Sequence, residues 1–279
     1  MKFISNLKNI LLAALFLMLN TLYFGSENSF GENGTMDNVK IDFSVLSDKV
    51  ILFGHQSVGQ NIIDGLRSIK NLSNDVFVKK IEDGNPLDKG RLNHIYLGNN
   101  GDPVGKIEGF VKLITQYSNN SPDIALFKFC YLDIDERTDI DRLFSLYEKT
   151  IRDLEKKFPK MVIVHTTVPL RQVQTGPKAW IKRIIGRPVT GVSDNVAREK
   201  FNTAMRRVYG QRLLYDIALH ESTYPDGGRE SFQRDGATYH ALVPLYTDDG
   251  DHLNKVGGEV LARQFVRVLV EAAKKHGST

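Results

Sequence analysis

One stretch decides the fold class: Ile124-Ala125-Leu126-Phe127-Lys128-Phe129-Cys130-Tyr131-Leu132, the strongest strand in the sequence. Its nearly continuous apolar character is typical of a central parallel strand that is covered on both faces. Lys128 interrupts the run, and an unpaired lysine is costly to bury. We therefore expect Lys128 to form an ion pair with Asp133 or Asp135 near the strand end, or else to act as an electrostatic element of a site there.

Strand-like and helix-like segments alternate along the chain around this stretch. They alternate about five times, without an internal repeat or a linker between domains, which predicts one α/β domain with a mostly parallel sheet and right-handed crossovers. In such a sheet, ligands bind at the carboxyl ends of the strands. The predicted strands are 49–54, 76–78, 124–132, 161–165 and 213–219, and helical patterns cover 58–69, 107–117, 139–158, 195–208 and 256–269.

The composition is ordinary for a globular protein, with 279 residues of which 41% are hydrophobic and 25% charged. The formal net charge is only +4, and there is no basic run of the kind that binds phosphate backbones, so nucleic acid is not an expected partner. Neither standard Gly-rich phosphate loop is present, and no cofactor is expected. The single cysteine, Cys130, cannot form an intramolecular disulfide and is interpreted as a packed small hydrophobic residue rather than a nucleophile.

Residues 1–31 have the pattern of an export signal. Two lysines are followed by an uninterrupted apolar run at 10–19, which is short for a membrane span, and a small-x-small cleavage site is offered at 29–31. We predict that 1–31 is a signal peptide, 32–48 a polar leader and 49–279 the folded domain. The protein is then periplasmic or secreted, without a stable membrane span once the signal is removed. The alternative is that an uncleaved N-terminal segment anchors it.

Near the C-terminus, the stretch Asp249-Gly250-Asp251-His252-Leu253-Asn254 places a carboxylate three residues before a histidine. On a loop that contains glycine, the carboxylate can turn back to bond the imidazole. That bond fixes the tautomer and leaves the other ring nitrogen free to take a proton from a hydroxyl. Asn254 is predicted to cap the helix that follows. The alternative is an ordinary polar loop. A calcium loop is disfavoured because the regular twelve-residue ligand spacing is missing, so no metal is expected.

The hydroxyl that such a histidine needs is supplied by Ser57. This residue lies at the sharp exit of the first predicted strand, between Gly54 and Gly59, where a serine projects its hydroxyl above the sheet edge. The helix that follows can lend backbone N–H groups to a developing negative charge. The alternative is that Ser57 only caps that helix. The presence of Asp249 and His252 favours the nucleophile, since a serine hydroxyl needs a neighbouring base.

In these motifs the chain resembles the SGNH (GDSL-type) hydrolases, over roughly residues 49–275 in its order of elements. The resemblance implies a flavodoxin-like sheet with a nucleophilic serine just after the first strand, which Ser57 matches. It also implies an Asp-x-x-His pair near the C-terminus, which Asp249 and His252 match. In this family a glycine N–H and an asparagine side chain form the oxyanion hole, and Gly101 is the best match to that glycine.

Two departures from the family pattern concern the base and the oxyanion hole. The first motif reads Gly54-His55-Gln56-Ser57 in place of Gly-Asp-Ser, so His55 is a rival base or a substrate contact. The third motif reads Cys130-Tyr131-Leu132-Asp133 in place of Gly-x-Asn-Asp and has no asparagine. Asn99, Asn100 or Gln56 is then expected to replace it, or the hole is built differently. Losing one such donor costs about two orders of magnitude in rate, which leaves a binding-only descendant open.

The segment 171–194 is strongly basic and holds the only tryptophan. As a lid it would contact an acidic glycan or a lipid headgroup; the alternative is a surface helix with a solvated face. Two histidines near strand ends, His165 and His220, are interpreted as structural. The basic residues of the segment are Arg171, Lys178, Lys182, Arg183 and Arg187, against the single acid Asp194, and Ile181, Ile184 and Ile185 lie beside Trp180.

These motifs predict an exported serine hydrolase that cleaves a carboxylic ester, with a small acyl or acetyl ester on a cell-surface glycan as the suggested substrate. Ser57 attacks the acyl carbon, His252 shuttles the proton and Asp249 orients the imidazole. The N–H groups of Ser57 and Gly101 hold the oxyanion. One alternative is an acyltransferase with the same triad, in which a sugar hydroxyl replaces water. The other is a non-catalytic carbohydrate- or surface-binding module on the same fold; the oligomeric state is left open.

Overall fold

The structure of the chain is a computed structural model that describes residues 42–69 and 77–277. The predicted signal peptide, most of the predicted leader and Val76 lie outside the described residues. The described end of the leader forms a short 3₁₀ helix, Phe43–Leu46, and Leu46 is buried in the core. Among the described helices, none combines the length and the apolar character needed to cross a bilayer.

Five strands, all parallel, form the main sheet, and helices pack on both of its faces, so the predicted α/β class is confirmed. Each interior strand is therefore buried on both sides, as its apolar sequence predicts. In spatial order the strands are Val78–Lys80 (β2), Arg91–Tyr96 (β3), Val50–His55 (β1), Ile124–Phe127 (β4) and Val162–Ile163 (β5).

A second pair of parallel strands continues this arrangement. His165–Thr166 (β6) follows β5 almost at once and pairs with Leu214–Tyr215 (β7). Without the edge strand β2, the spatial order begins with β3, β1 and β4. The next position is shared by β5 and its continuation β6, and β7 is last. Numbered along the chain, this is the 2-1-3-4-5 order of flavodoxin-like folds. An antiparallel hairpin, Ser231–Arg234 (β8) with Ala237–His240 (β9), lies in the loop after β7.

Strand β3 is absent from the predicted strands because polar residues interrupt its sequence. One of them, Asn93, is fully buried. Its side-chain NH₂ donates to the carbonyl oxygens of Ile51 and Asp88 at 3.1 and 2.9 Å, and its Oδ1 accepts the N–H of Asp88 at 2.9 Å. Satisfied polar side chains of this kind are compatible with a buried strand, although they remove the apolar signal on which the prediction depends.

The strand predicted at 124–132 ends earlier, at Phe127. The chain then turns because the carboxylate of Asp133 accepts the N–H of Cys130 at 2.6 Å, which closes a 3₁₀ turn over Tyr131–Asp133. The apolar side chains of 128–132 are thus only partly strand residues, and this turn comes to lie at the edge of the sheet where ligands bind in such folds.

The strand predicted at 213–219 is also shorter. It ends at Tyr215, and Asp216 begins a helical turn by accepting the N–H of Leu219 at 3.1 Å. An aspartate at this position is a favoured helix N-cap, so its local preference outweighs the apolar pattern that follows it.

The predicted helices are all present, with two short ones in addition. Their apolar residues recur at helical spacing, which is the primary signal of secondary structure in a sequence. In chain order the helices are Ser57–Arg67 (α1), Pro103–Gln116 (α2), Ile140–Lys157 (α3), Gly176–Ile184 (α4), Val192–Tyr209 (α5), Ile217–Glu221 (α6) and Lys255–His276 (α7).

The sheet separates two apolar cores. Along β1, Ile51 and Phe53 face the core that the sheet shares with α1 and α7, while Leu52 faces the core shared with α2, α3 and α5. Successive side chains of a strand point to opposite faces, so a run of apolar residues serves both layers.

Helices α1 and α7 approach each other very closely. A Cβ on Gly65 would lie 2.1 Å from the carbonyl oxygen of Gly258, and a Cβ on Gly258 would lie 2.8 Å from that of Asn61. Only glycine allows this spacing of the two backbones. Because Ser57 begins α1 and His252 lies just before α7, this packing brings distant parts of the chain to one side of the sheet.

Candidate active site

Ser57 is the first residue of α1. Only one residue, Gln56, separates it from the end of β1. The N-cap position belongs to Gln56, whose side chain makes no capping hydrogen bond. The Ser57 hydroxyl lies 3.1 Å from Nε2 of His252, so it is turned to the histidine and not to the helix backbone. The N–H groups of Ser57 and Val58 are in the first turn of α1 and therefore have no intrahelical acceptor.

The imidazole of His252 is oriented by Asp249. Oδ2 of Asp249 lies 2.7 Å from Nδ1 of His252, while Oδ1 accepts the N–H groups of Asp251 and His252, each at 2.8 Å. Gly250 permits this tight return of the chain because its φ is +87°, a conformation that strains residues with a side chain. The contact between Ser57 and His252 joins residues 195 positions apart.

These hydrogen bonds keep the carboxylate of Asp249 ionised. Desolvation acts to raise the pKa of Asp249, but hydrogen bonds from the backbone and ring of His252 and from the backbone of Asp251 outweigh it, and the pKa lies well below its usual 3.8. An ionised carboxylate holds the proton on Nδ1 of His252 and leaves the lone pair of Nε2 for the Ser57 hydroxyl. The arrangement can therefore deprotonate the serine as it attacks.

The loop that carries His252 is clamped by the segment before α4. The guanidinium of Arg171 forms a two-pronged ion pair with Asp251, in which Nη2 donates to Oδ2 at 2.9 Å, and the N–H of Gln172 donates to the carbonyl of Gly250 at 2.8 Å. In the sequence, Arg171 stands out only as part of a basic segment, since residues 80 positions apart carry no spacing signal. A fixed base is what a precise proton transfer requires.

Tyr131 packs against another side of the imidazole. Its buried ring meets the ring of His252 edge to face, with 5.7 Å between the centroids. The guanidinium of Arg171 lies over the same tyrosine ring, 5.5 Å from its centroid. Burial, with a smaller effect from the charge of Asp251, raises the pKa of Tyr131 to about 12, so the phenol stays protonated at neutral pH. The sequence alone does not single out Tyr131, because it occupies one more apolar position of the predicted strand 124–132.

The predicted oxyanion glycine has another hydrogen-bond partner. The N–H of Gly101 donates to Oδ1 of Asp133 at 2.8 Å. The same carboxylate accepts the N–H of Cys130 and is paired with the buried Lys106, with Nζ 2.6 Å from Oδ2. A backbone amide has one hydrogen, and here it is used by a charged acceptor. We therefore correct the prediction and remove the Gly101 amide from the candidate oxyanion donors.

Two asparagines in the same turn remain. Asn99 and Asn100 are exposed. Oδ1 of Asn100 accepts a hydrogen bond from Nζ of Lys106 at 3.1 Å, which fixes the plane of the side-chain amide and leaves its NH₂ group as a candidate donor. Asn99 stabilises the turn through its backbone, since its carbonyl accepts the N–H of Asp102 at 3.4 Å.

Gln56 and His55 are engaged away from a substrate. The side-chain NH₂ of Gln56 donates to the carbonyls of Leu97 and Gly98, at 3.2 and 2.5 Å, so both of its hydrogens are used. Nδ1 of His55 lies 2.8 Å from the carbonyl of Gln56, and its Nε2 lies 2.9 Å from Nδ1 of His94. Burial lowers the pKa of His55 to about 3. Gln56 as an oxyanion donor and His55 as a base or substrate contact are therefore corrected to structural roles.

The buried Lys128 does not form the ion pair predicted for it. Asp133 is paired with Lys106, and Asp135 with an exposed arginine. Nζ of Lys128 instead donates to the carbonyl of Phe129 at 3.0 Å. Burial lowers the pKa of Lys128 to about 8, as expected for an ammonium group that is removed from water.

Of the remaining residues singled out in the sequence, Cys130 and His165 lie in the core and His220 is half-buried. Cys130 is a buried free thiol. His165 is buried, with Nδ1 3.0 Å from the hydroxyl of Tyr147. Burial lowers the pKa of His165 to about 3. It also lowers the pKa of His220. Across 42–69 and 77–277, no three residues of the types His, Cys, Asp and Glu converge in the way metal ligands do.

No protein-family model matches this chain, and neither does any curated protein sequence. Its structural neighbours include SGNH/GDSL-like lipases, acylhydrolases and esterases at low sequence identity. A GDSL-like lipase from Bacteroides thetaiotaomicron is 13% identical, with a TM-score of 0.46, and the match covers 82% of this chain and 89% of that one.

Two further similar structures come from other organisms. A carbohydrate esterase family 3 protein from Talaromyces cellulolyticus is 15% identical over 82% of this chain and 99% of its own, with a TM-score of 0.45. The periplasmic domain of a lipopolysaccharide acetyltransferase from Salmonella ser. Paratyphi A is 12% identical over 81% of this chain and 85% of its own, with a TM-score of 0.47. Similarity at this level concerns the fold alone, so the reaction has to be argued from the chain's own side chains.

Proposed function

We propose that this chain is a serine hydrolase of the SGNH type that cleaves carboxylic esters. The observation that carries the proposal is one hydrogen-bonded series of side chains. It runs from Asp249 Oδ2 to His252 Nδ1 over 2.7 Å and from His252 Nε2 to Ser57 Oγ over 3.1 Å. Carboxylate, imidazole and hydroxyl in this order form the arrangement that activates a serine.

In the proposed reaction, Ser57 Oγ attacks the acyl carbon while its proton passes to Nε2 of His252. The tetrahedral intermediate collapses, and the alcohol leaves with the proton from His252. Water then attacks the acyl-serine with His252 again as base, and the carboxylic acid is released with Ser57 restored. Asp249 stays ionised throughout and stabilises the imidazolium.

The negative charge on the substrate oxygen needs donors near the start of α1. We propose the N–H of Ser57, which helix geometry leaves without an intrahelical acceptor and which lies at the positive end of the helix dipole. The side-chain NH₂ of Asn100 is the second proposed donor, in place of the asparagine that the third motif lacks. Together they would supply the electrostatic stabilisation on which ester cleavage depends.

The substrate and the location are further parts of the proposal. We propose export through residues 1–31 and a small acyl or acetyl ester of a cell-surface glycan as substrate. Support comes from the export pattern of the N-terminus and from the resemblance of the motifs around Ser57 and His252 to the SGNH family.

The test is active-site labelling of the purified full chain with a fluorophosphonate, together with hydrolysis of p-nitrophenyl acetate. Wild-type protein and the control Ser193→Ala, which changes a half-buried serine of α5, should both be labelled and active. Ser57→Ala should lose the label and the activity. Equal labelling of Ser57→Ala would show that the nucleophile is wrongly assigned. A protein that binds glycan without labelling or turnover would be a binding module, contrary to the proposal.

A further inference from the structure

Helix α4 and the residue after it expose a ridge of large apolar side chains. The exposed fractions are 63% for Trp180, 50% for Ile181, 63% for Ile184 and 56% for Ile185. Tryptophan and isoleucine are residues that a folded protein largely buries. Several of them side by side on the surface indicate a contact with something outside the chain.

The ridge faces outward because α4 is attached by its opposite side. Ala179 is only 1% exposed and forms the inner face of the helix. At about 100° per residue, Trp180, Ile181 and Ile184 lie on the half of the helix turned away from Ala179. The apolar face of α4 therefore meets the surroundings, which is the reverse of an ordinary surface helix.

Polar contacts hold α4 in this orientation. Nζ of Lys182 donates to Oε1 of Gln174 at 2.7 Å and to the hydroxyl of Thr190 at 3.1 Å. The N–H of Gln174 also donates to the carbonyl of Thr190 at 3.1 Å. The two ends of the segment are thus tied to each other and to the helix, which keeps the ridge on the outside.

The charged residues in the stretch that carries the ridge are all basic. The stretch 176–190 contains four basic residues, among them the exposed Lys178 and Arg187, and no acidic residue. An apolar ridge with a tryptophan and a basic border fits a partner that is apolar within and negatively charged at its boundary, which describes an anionic lipid bilayer. A soluble acidic polymer would match the charges and leave the isoleucines without a partner.

We propose that α4 docks on the surface of an anionic phospholipid bilayer, with Trp180 and the neighbouring isoleucines in the headgroup region. The segment that leads into α4 begins at Arg171 and Gln172, which contact the loop of His252. Docking would therefore place the candidate site beside the lipid surface. The inference goes beyond the proposed ester cleavage and does not depend on it.

The experiment uses Trp180 as its own probe. It is the only tryptophan of the chain, so its fluorescence reports contact at α4 whatever the N-terminal segment does. The full chain is titrated with vesicles of phosphatidylglycerol and phosphatidylcholine, and with vesicles of phosphatidylcholine alone. With the anionic vesicles we expect a blue shift of the emission and quenching by phospholipids with brominated tails. Both effects should weaken at high salt.

Two variants separate the ridge from the charges. Ile181→Ser/Ile184→Ser should need about tenfold or more lipid for the half-maximal shift, because it removes apolar contact area. Lys178→Glu/Arg187→Glu should lose the preference for anionic vesicles by about tenfold or more. The control Val208→Ser/Leu219→Ser, which changes two exposed apolar residues on other helices, should match the wild type.

Three results would overturn the inference. The first is the absence of a shift or of bromolipid quenching with anionic vesicles. The second is a shift that occurs without lipid and disappears on dilution, which would make the ridge a contact between copies of the chain. The third is an equal shift with polygalacturonate, which would make the partner an acidic glycan. None of these results bears on fluorophosphonate labelling of Ser57, so the two proposals fail separately.

Discussion

Two regions with proposed roles in ester cleavage are stabilised in different ways. The first is the proposed proton relay of Ser57, His252 and Asp249, and the second is the turn that contains Asn99, Asn100 and Gly101. In the relay, the side chains of Asp249 and His252 are 56% and 38% exposed and are ordered by hydrogen bonds within one short loop. The turn is held from below by the ion pair of Lys106 and Asp133, whose side chains are fully buried and whose carboxylate also accepts the N–H of Gly101. A loop can thus present reactive groups to solvent, whereas a buried ion pair uses up the donors around it.

The largest effect is expected on the relay side, from His252→Ala. Loss of the base should lower kcat for p-nitrophenyl acetate by about 10³- to 10⁴-fold, while the fold is kept because the side chain is partly exposed. Steady-state kinetics and a thermal melt check the two expectations. The control His240→Gln changes a histidine of the β9 strand and should keep activity within about twofold. A loss of less than tenfold for His252→Ala would mean that another group acts as base.

The next largest effect is expected in the turn, where Asn100 is the proposed oxyanion donor in place of the Gly101 N–H. Asn100→Ala should lower kcat by about 10²-fold with little change in KM, as expected for a donor that acts on the oxyanion. Asn100→Asp keeps an oxygen for Lys106 but has no NH₂ group, so it should lose as much activity as Asn100→Ala. If Asn100→Asp stays active, the residue serves only to hold Lys106. A larger loss in Asn99→Ala would assign the donor to the neighbouring position.

A smaller effect is expected from separating the two helices that bring the relay together. In Gly258→Ala, the new Cβ would lie 2.8 Å from the carbonyl oxygen of Asn61, so α1 and α7 must move apart. We expect a destabilisation of roughly 1–3 kcal/mol and a fall in kcat of about tenfold, because Ser57 begins α1 and His252 lies just before α7.

The matched control for this change is Gly109→Ala in α2. Its Cβ would lie 3.4 Å from the nearest side-chain atom, and alanine is favoured over glycine in a helix by up to about 1 kcal/mol. Chemical unfolding should therefore show equal or higher stability for Gly109→Ala, with unchanged kinetics. If Gly258→Ala behaves like Gly109→Ala, the glycine contact does not position the relay.

The relay could be predicted from the sequence more completely than the turn, because its contacts follow from local spacing and helical periodicity. Asp249 and His252 are three positions apart, so their bond follows from local spacing. The apolar periodicity of α1 and α7 predicts the two helices whose packing brings Ser57 and His252 together. The role of Asp133 is different, because its partner depends on which buried lysine reaches it. From the sequence, Asp133 is one of two expected partners of Lys128, the other being Asp135, whereas in the structure Asp133 is paired with Lys106 on α2.

Other parts of the fold and site escaped prediction for related reasons. Strand β3 is held by the satisfied polar side chain of Asn93, which looks like an interruption in a hydrophobic pattern. The clamp of Arg171 on Asp251 joins residues 80 positions apart. Such contacts are set by tertiary packing and leave no periodic or spaced signal in one sequence.

The smallest effect is expected from Tyr131→Phe, at the border between the two regions. The contacts of Tyr131 with His252 and Arg171 are made by its ring, and phenylalanine keeps that ring, so kcat should change by less than about threefold. Tyr131→Ala removes the packing against the imidazole and should cost about tenfold or more. Steady-state kinetics of both variants, with thermal melts to confirm folding, show whether Tyr131 acts through its ring or through its hydroxyl. If Tyr131→Phe instead loses about 10²-fold in kcat at constant KM, the phenol is an oxyanion donor. The donor missing from the turn would then be supplied from the relay side, by a residue already in contact with the base.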